Sequence, residues 1–170
     1  IHPLMSYFLV DGLQVQPMYI GVYMVSVTVS GLIISQYLGA LADKGVSSRK
    51  MYMLANSGFI LALLVYIFSE GFALVLMAGV CFMAFGNASI PQMLTLSRQW
   101  ANKQTDHRVV NMAQFNARIR AGISFAWMMG PPAAFLLLGI AGFSAAFTVA
   151  IIAAAVGIVF VWRCLPEQAS

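Results

Sequence analysis

In a chain that is 61% hydrophobic and 8% charged, the side chains able to do chemistry are few, and they gather in two places. Asn87, Ser89 and Gln92 form one group; Arg118, Arg120 and Trp127 form the other. An amide supplies donors and acceptors together, a guanidinium supplies a planar fork of donors, and an indole supplies a flat apolar face with one polar edge. Such a set holds and orients a polar molecule. Nothing along the chain pairs a nucleophile with a base or gathers metal ligands at usable spacing, so the sequence points away from an enzyme and calls for neither metal nor cofactor. Cys81 and Cys164 lie in or at the end of apolar runs and read as small apolar residues.

Each polar residue also has a plainer reading. Asn87 and Gln92 can serve as hydrogen-bond partners between helices, worth roughly 0.6 kcal/mol each in a bilayer. Arg118 and Arg120 lie about 200° apart around a helix, and both can snorkel to a membrane surface. Trp127 can be packing. His2 and Tyr7 are weaker candidates near the start, and Gln36 reads as a polar contact between helices.

The elements that position these groups follow from composition. The mean hydropathy of the 170 residues is +0.87, and a soluble domain carries roughly a quarter of its residues as charges. Long apolar runs therefore place the chain in a membrane. A net charge of +4 comes from nine basic residues scattered between apolar runs, which makes no basic face for a nucleic acid. Apolar runs predict spans at about 18–42, 51–69, 72–96, 117–139 and 142–162, each helical so that its backbone satisfies itself. The first run, residues 1–10, is half the length of about 20 residues that a bilayer needs, so it reads as the end of a first helix. The expected fold is an all-α integral membrane bundle of five complete helices and part of another.

Charge then orders the spans. Lys44, Arg49 and Lys50 follow the second span, and Arg98, Lys103, Arg108, Arg118 and Arg120 lie between the fourth and fifth or in the fifth's first turns. With Arg163 after the sixth, that accounts for all nine basic residues; "DGLQVQP", "SEG" and "GIAG" on the other side hold none. Basic residues near span ends stay in the cytoplasm, so the even-numbered spans are expected to end there. The five carboxylates, Asp11, Asp43, Glu70, Asp106 and Glu167, all fall in turns or at ends.

Small residues recur every four positions: Gly31, Ser35, Gly39 in the second span, ending in Asp43, and Gly122, Ala126, Gly130, Ala134 in the fifth. Such stripes let helices approach closely in lipid. Pro131 and Pro132 interrupt the second stripe and are expected to bend it.

The stretch "GALADKGVSSRK", residues 39–50, resembles the signature that follows the second helix of the major facilitator superfamily. "GISFAWMMGPP" resembles the Gly-Pro signature in the fifth helix of its exporters, and with "FGNASIPQM" and "SRQWANK" the chain looks most like the bacterial sugar efflux transporters. The resemblance covers nearly the whole chain. It implies the N-terminal six-helix half of a secondary carrier in a bacterial inner membrane, the C-terminal half being absent, with a midplane site between two halves and inverted three-helix units within each. The substrate it implies is a sugar or similar polar solute, with protons as a candidate co-substrate. Arg120 matches the Arg of the family's R-A-…-A-W pattern, and with Asn87, Gln92, Trp127 and His2 it is expected to line the site. Gly39, Asp43, Lys44, Arg49 and Lys50, with Gly130 and Pro131, are the expected gating elements, Asp43 latching against a helix of the absent half. An exporter of drugs and other amphiphiles, and a membrane scaffold without transport, are the alternatives.

Overall fold

Within lipid a backbone meets its own hydrogen-bonding needs only as a helix or a closed barrel. The computed structural model describes residues 2–105 and 112–164, and among the described residues every regular element is helical. Helix α1 runs His2–Tyr7 and winds on through a π-turn, Phe8–Gly12. Pro17, whose missing N–H costs nothing at a helix start, opens α2, Pro17–Asp43. Gly45 takes a φ of 85° in the turn that follows, and Ser47 caps α3, Ser48–Phe68, its hydroxyl accepting from the Lys50 N–H.

Helix α4 spans residues 72–105 in pieces. Phe72–Ala78 passes into a π-turn at Gly79–Met83, then a short helical piece at Ala84–Gly86. The hydrogen-bond ladder is interrupted at residues 87–88, where Asn87 keeps helical dihedrals of −63° and −26°, and resumes in Ser89–Thr105. Pro91 explains the interruption: it has no N–H to return to the Asn87 carbonyl four residues earlier. The final helical stretch, Met112–Cys164, breaks at Gly142, where φ is 80° and ψ is −179°. That left-handed φ suits glycine alone, and it divides the stretch into α5, residues 112–141, and α6, residues 143–164. Pro131 and Pro132 lie inside α5, where helical dihedrals continue through both, because the ring's fixed φ is itself helical. The reversal falls at the junction expected between the spans at 117–139 and 142–162.

Side-chain contacts give the directions. Tyr66 of α3 meets Phe147 of α6 near one end, the Tyr52 hydroxyl lies against Gly157, and the Arg49 guanidinium donates to the Trp162 carbonyl at the other. The two helices therefore run antiparallel. Tyr19 meets Phe72 while Gly31 meets Asn87, so α2 and α4 run parallel. Tyr7 meets Phe135, and Trp100 stacks on Phe115, which carries α5 back from the basic end. Pro17–Ala42, Ser48–Phe68 and Phe72–Ala101 are each long and apolar enough to cross a bilayer, as is Ala113–Cys164 even before its break is counted. The chain is a multi-pass membrane protein.

Two cores hold the bundle. The larger is aromatic: Phe8 packs edge-on against Phe143 and Phe147, each at 5.2 Å between ring centroids, with Tyr66 behind them. The smaller, Leu38, Met51, Ala55 and Ala88, closes the basic end. Between α3 and α4 two glycines set the distance reciprocally. A Cβ on Gly58 would meet the Phe85 Cβ at 2.9 Å, and one on Gly86 would meet the Phe59 ring at 3.0 Å.

Candidate functional site

The site lies beside the interrupted ladder of α4. Asn87 sits at that interruption, exposed, and its Nδ2 would lie 2.6 Å from a Cβ on Gly31, so that glycine is what lets the amide lie against α2. Ser89 returns its hydroxyl proton to the Gly86 carbonyl at 2.8 Å, which anchors the restarted helix. Beside the interruption is a cavity of about 150 Å³ walled by α1, α2, α3 and α4; Tyr23, Asn56, Phe59, Met83, Asn87 and Ser89 are among its lining residues. Above it, towards the Glu70 end, the Tyr23 and Tyr66 hydroxyls share a buried hydrogen bond of 2.7 Å. The π-turn serves that pair. A Cβ on Gly79 would meet Tyr23 and Val27 at 2.8 Å and the Tyr66 hydroxyl at 3.2 Å.

Asn56 went unremarked in the sequence reading. It is 8% exposed, in the middle of an apolar run, and its NH₂ group donates to the Tyr52 carbonyl at 3.0 Å. The signal was available, since an amide inside "MYMLANSGF" is costly to bury and calls for an explanation.

The expected site residues take separate places. Asn87 lines the cavity, whereas Gln92 is buried at 8% exposure. The two amides are therefore not side by side on one open face. Trp127 is 63% exposed and lines a different depression, about 430 Å³, between α5 and α6, with Pro3, Gly130, Pro131 and Ala150 among its walls. Asn87 stands fifteen residues from Phe72, and Trp127 fifteen from Gly142, so both lie roughly 22 Å in from the Glu70 end. Arg120 is exposed and two turns nearer the basic end, roughly 10 Å along the axis from Trp127. That puts it at the edge of a ~30 Å hydrocarbon layer. His2 lies in α1 and Asp43 closes α2, but the side chains of both are outside the described residues.

In the turn after α2, Lys44 is exposed, Lys50 belongs to the first turn of α3, and a Cβ on Gly39 would meet nothing within 4 Å. Arg49 does the joining: its guanidinium, at the C-terminal end of α6, sits where a helix dipole favours a cation. Gly130 likewise has open space beyond it. Among the described residues no three His, Cys, Asp or Glu side chains come together in a way that could hold a metal ion.

An all-helical membrane bundle with a charged turn after its second helix and an interrupted helix lining its interior is the architecture of one large class of membrane proteins. The whole chain, residues 1–170, matches the Major Facilitator Superfamily, and it belongs to that family. It is 33% identical over 170 residues to "Sugar efflux transporter B" of Salmonella typhimurium, covering 98% of this chain and 41% of that protein. It is 30% identical over 165 residues to "Sugar efflux transporter C" of Escherichia coli, and 30% over 166 residues to "Sugar efflux transporter A" of Dickeya chrysanthemi. The chain spans about 41% of the length of each of these relatives. No solved structure matches it.

Proposed function

We propose that this chain is the N-terminal half of a secondary carrier that exports sugars or similar polar solutes across a bacterial inner membrane by alternating access. The observation that carries this reading is similarity along 97–98% of the chain to relatives that share one name and one activity in it. The polar lining beside α4 supports it, because uncharged amides deep in a membrane bundle suit a hydroxylated solute. The solute passes without chemical change, so the protein is a carrier and not an enzyme. A second six-helix half, for which the relatives' greater length leaves room, closes the site from the other side. The basic ends, from Lys44 to Arg163, face the cytoplasm.

A second reading has its own support. The depression beside Trp127 is walled mainly by small apolar residues and an indole, which equally accommodates an amphiphile.

One experiment separates them. The full-length protein, with a single cysteine placed at Ser48 to report orientation, is reconstituted in liposomes loaded with radiolabelled glucose or lactose. The carrier reading expects saturable sugar exchange, little inhibition by a lipophilic dye, and loss of exchange in Arg120→Ala with membrane insertion retained. Dye transport without sugar exchange establishes the second reading, and no flux of either overturns both. Unimpaired exchange by Arg120→Ala removes that residue from the site. Labelling of the Ser48 cysteine in intact cells by an impermeant reagent inverts the threading.

A further inference from the structure

The cavity at the α4 interruption offers a specific set of hydrogen-bonding groups. Asn56, more than nine-tenths buried, commits its NH₂ group to Tyr52, and its Oδ1 has no hydrogen-bond partner among the described residues. The Asn87 amide also has none among them. Pro91 leaves the Asn87 carbonyl without its helical donor. The Ser89 oxygen, its proton spent on Gly86, retains acceptor capacity. Among the lining residues, Asn56 and Ser89 thus retain acceptor capacity and the Asn87 amide retains donor capacity. None of the lining residues carries a formal charge; Met5, Val27, Phe59, Met83 and Gly86 make up the rest, with Tyr23, whose hydroxyl is bonded to that of Tyr66.

That pattern selects its ligand by elimination. A carboxylate or phosphate finds too few donors and no cation, and an ammonium finds no carboxylate. An apolar tail would strand every one of these groups at about 1–3 kcal/mol each. A hydroxyl both donates and accepts. The volume, about 150 Å³, equals that of about five waters, so it admits one hydroxyl-bearing end of a solute and not a whole disaccharide. The depth is right as well: Asn56 is eight residues into α3, about 12 Å from its basic end, and exposed Asn87 joins the cavity to the surface.

We propose that the cavity between α2, α3 and the interrupted α4 is a hydroxyl subsite, in which Asn56 accepts from, and Asn87 donates to, one hydroxyl group of the transported solute. The proposal rests on the sugar-carrier reading and assigns α3, through Asn56, a part in specificity. Arg120 and Trp127, on α5, hold other parts of the solute or none, and the subsite does not depend on them.

The test uses the full-length protein in liposomes, with labelled glucose and each of its 2-, 3-, 4- and 6-deoxy analogues as competitors. A site built to bond a hydroxyl rejects the analogue lacking it. The wild type is expected to bind one of the four about tenfold more weakly than glucose. Asn56→Leu, which removes the amide at similar volume, is expected to weaken glucose about tenfold, leave that one analogue unchanged, and so lose discrimination at that position alone. Should Asn56→Leu fail to insert, Asn56→Ser is read in the same way. Equal weakening of glucose and all four analogues makes Asn56 a structural residue and overturns the subsite, as does discrimination that survives the substitution. A wild type that neither binds nor moves glucose fails earlier, at the sugar-carrier reading itself, which distinguishes the two failures.

Discussion

Helices α4 and α5 follow one another in the chain, and both carry small residues at intervals, yet their surroundings differ. Around α4 every close approach is occupied: Gly79 against Tyr23 and Val27, Gly86 against Phe59, and Gly58 of α3 against Phe85. On α5 a Cβ added to Gly122, Gly130 or Gly139 would meet nothing within 4 Å. Trp127, Met128 and Phe125 of α5 are exposed, and its aromatic contacts come near its two ends, Phe115 on Trp100 and Phe135 on Tyr7. A stripe of small residues is therefore a permission for contact and not a contact. Whether it is used depends on what stands opposite, which in this chain is settled for α4 and left open for α5.

The difference can be broken at three strengths. Gly79→Leu forces a branched side chain into the tyrosine pair, and strain of that kind costs about 1–3 kcal/mol or more; thermal unfolding of the full-length protein in detergent should show the largest drop of the series. A normal melting curve would mean that the π-turn yields easily. Tyr66→Phe comes next. It leaves the buried Tyr23 hydroxyl without its 2.7 Å partner, an expected loss of about 1 kcal/mol in the same assay with the helix packing intact. Gly130→Ala should be nearly silent in stability, within about 0.5 kcal/mol. If α5 turns that face to a second half of the carrier, the same variant slows sugar exchange while leaving the melting curve alone; a silent variant in both assays assigns the face to lipid.

Much of the fold was legible from local chemistry. Ser47 capping α3, Gly45 in the turn and the basic clustering at one end of the bundle are each visible as residue types at particular spacings, because caps, turns and lipid exclusion act within a few residues. The interruption in α4 was not foreseen, a single span being expected over 72–96, although "NASIP" holds a proline that removes one named donor. The reversal after α5 was legible in the short "GIAGF" connection and falls at Gly142, the residue able to take a φ of 80°, while helical dihedrals run on through Pro131 and Pro132.

The candidate site was less legible. Asn87 stood out, and a separation of five residues already sets Gln92 about 140° around the helix from it; only packing shows that Asn87 lines the cavity while Gln92 is buried. Asn56 lies on a different helix from Asn87, and packing alone brings the two amides to one cavity. The partner of Arg49, the Trp162 carbonyl, is 113 residues away, and no local rule reaches that far.

By itself the sequence determined the environment, the helical state and the distribution of charge along the chain, because hydration of charges and backbone hydrogen bonding in lipid are set residue by residue. Only the tertiary structure decided which small residues find a neighbour, which buried amides share a cavity, and which cation closes a helix end. Those are properties of two surfaces meeting, and each surface carries only half of the information.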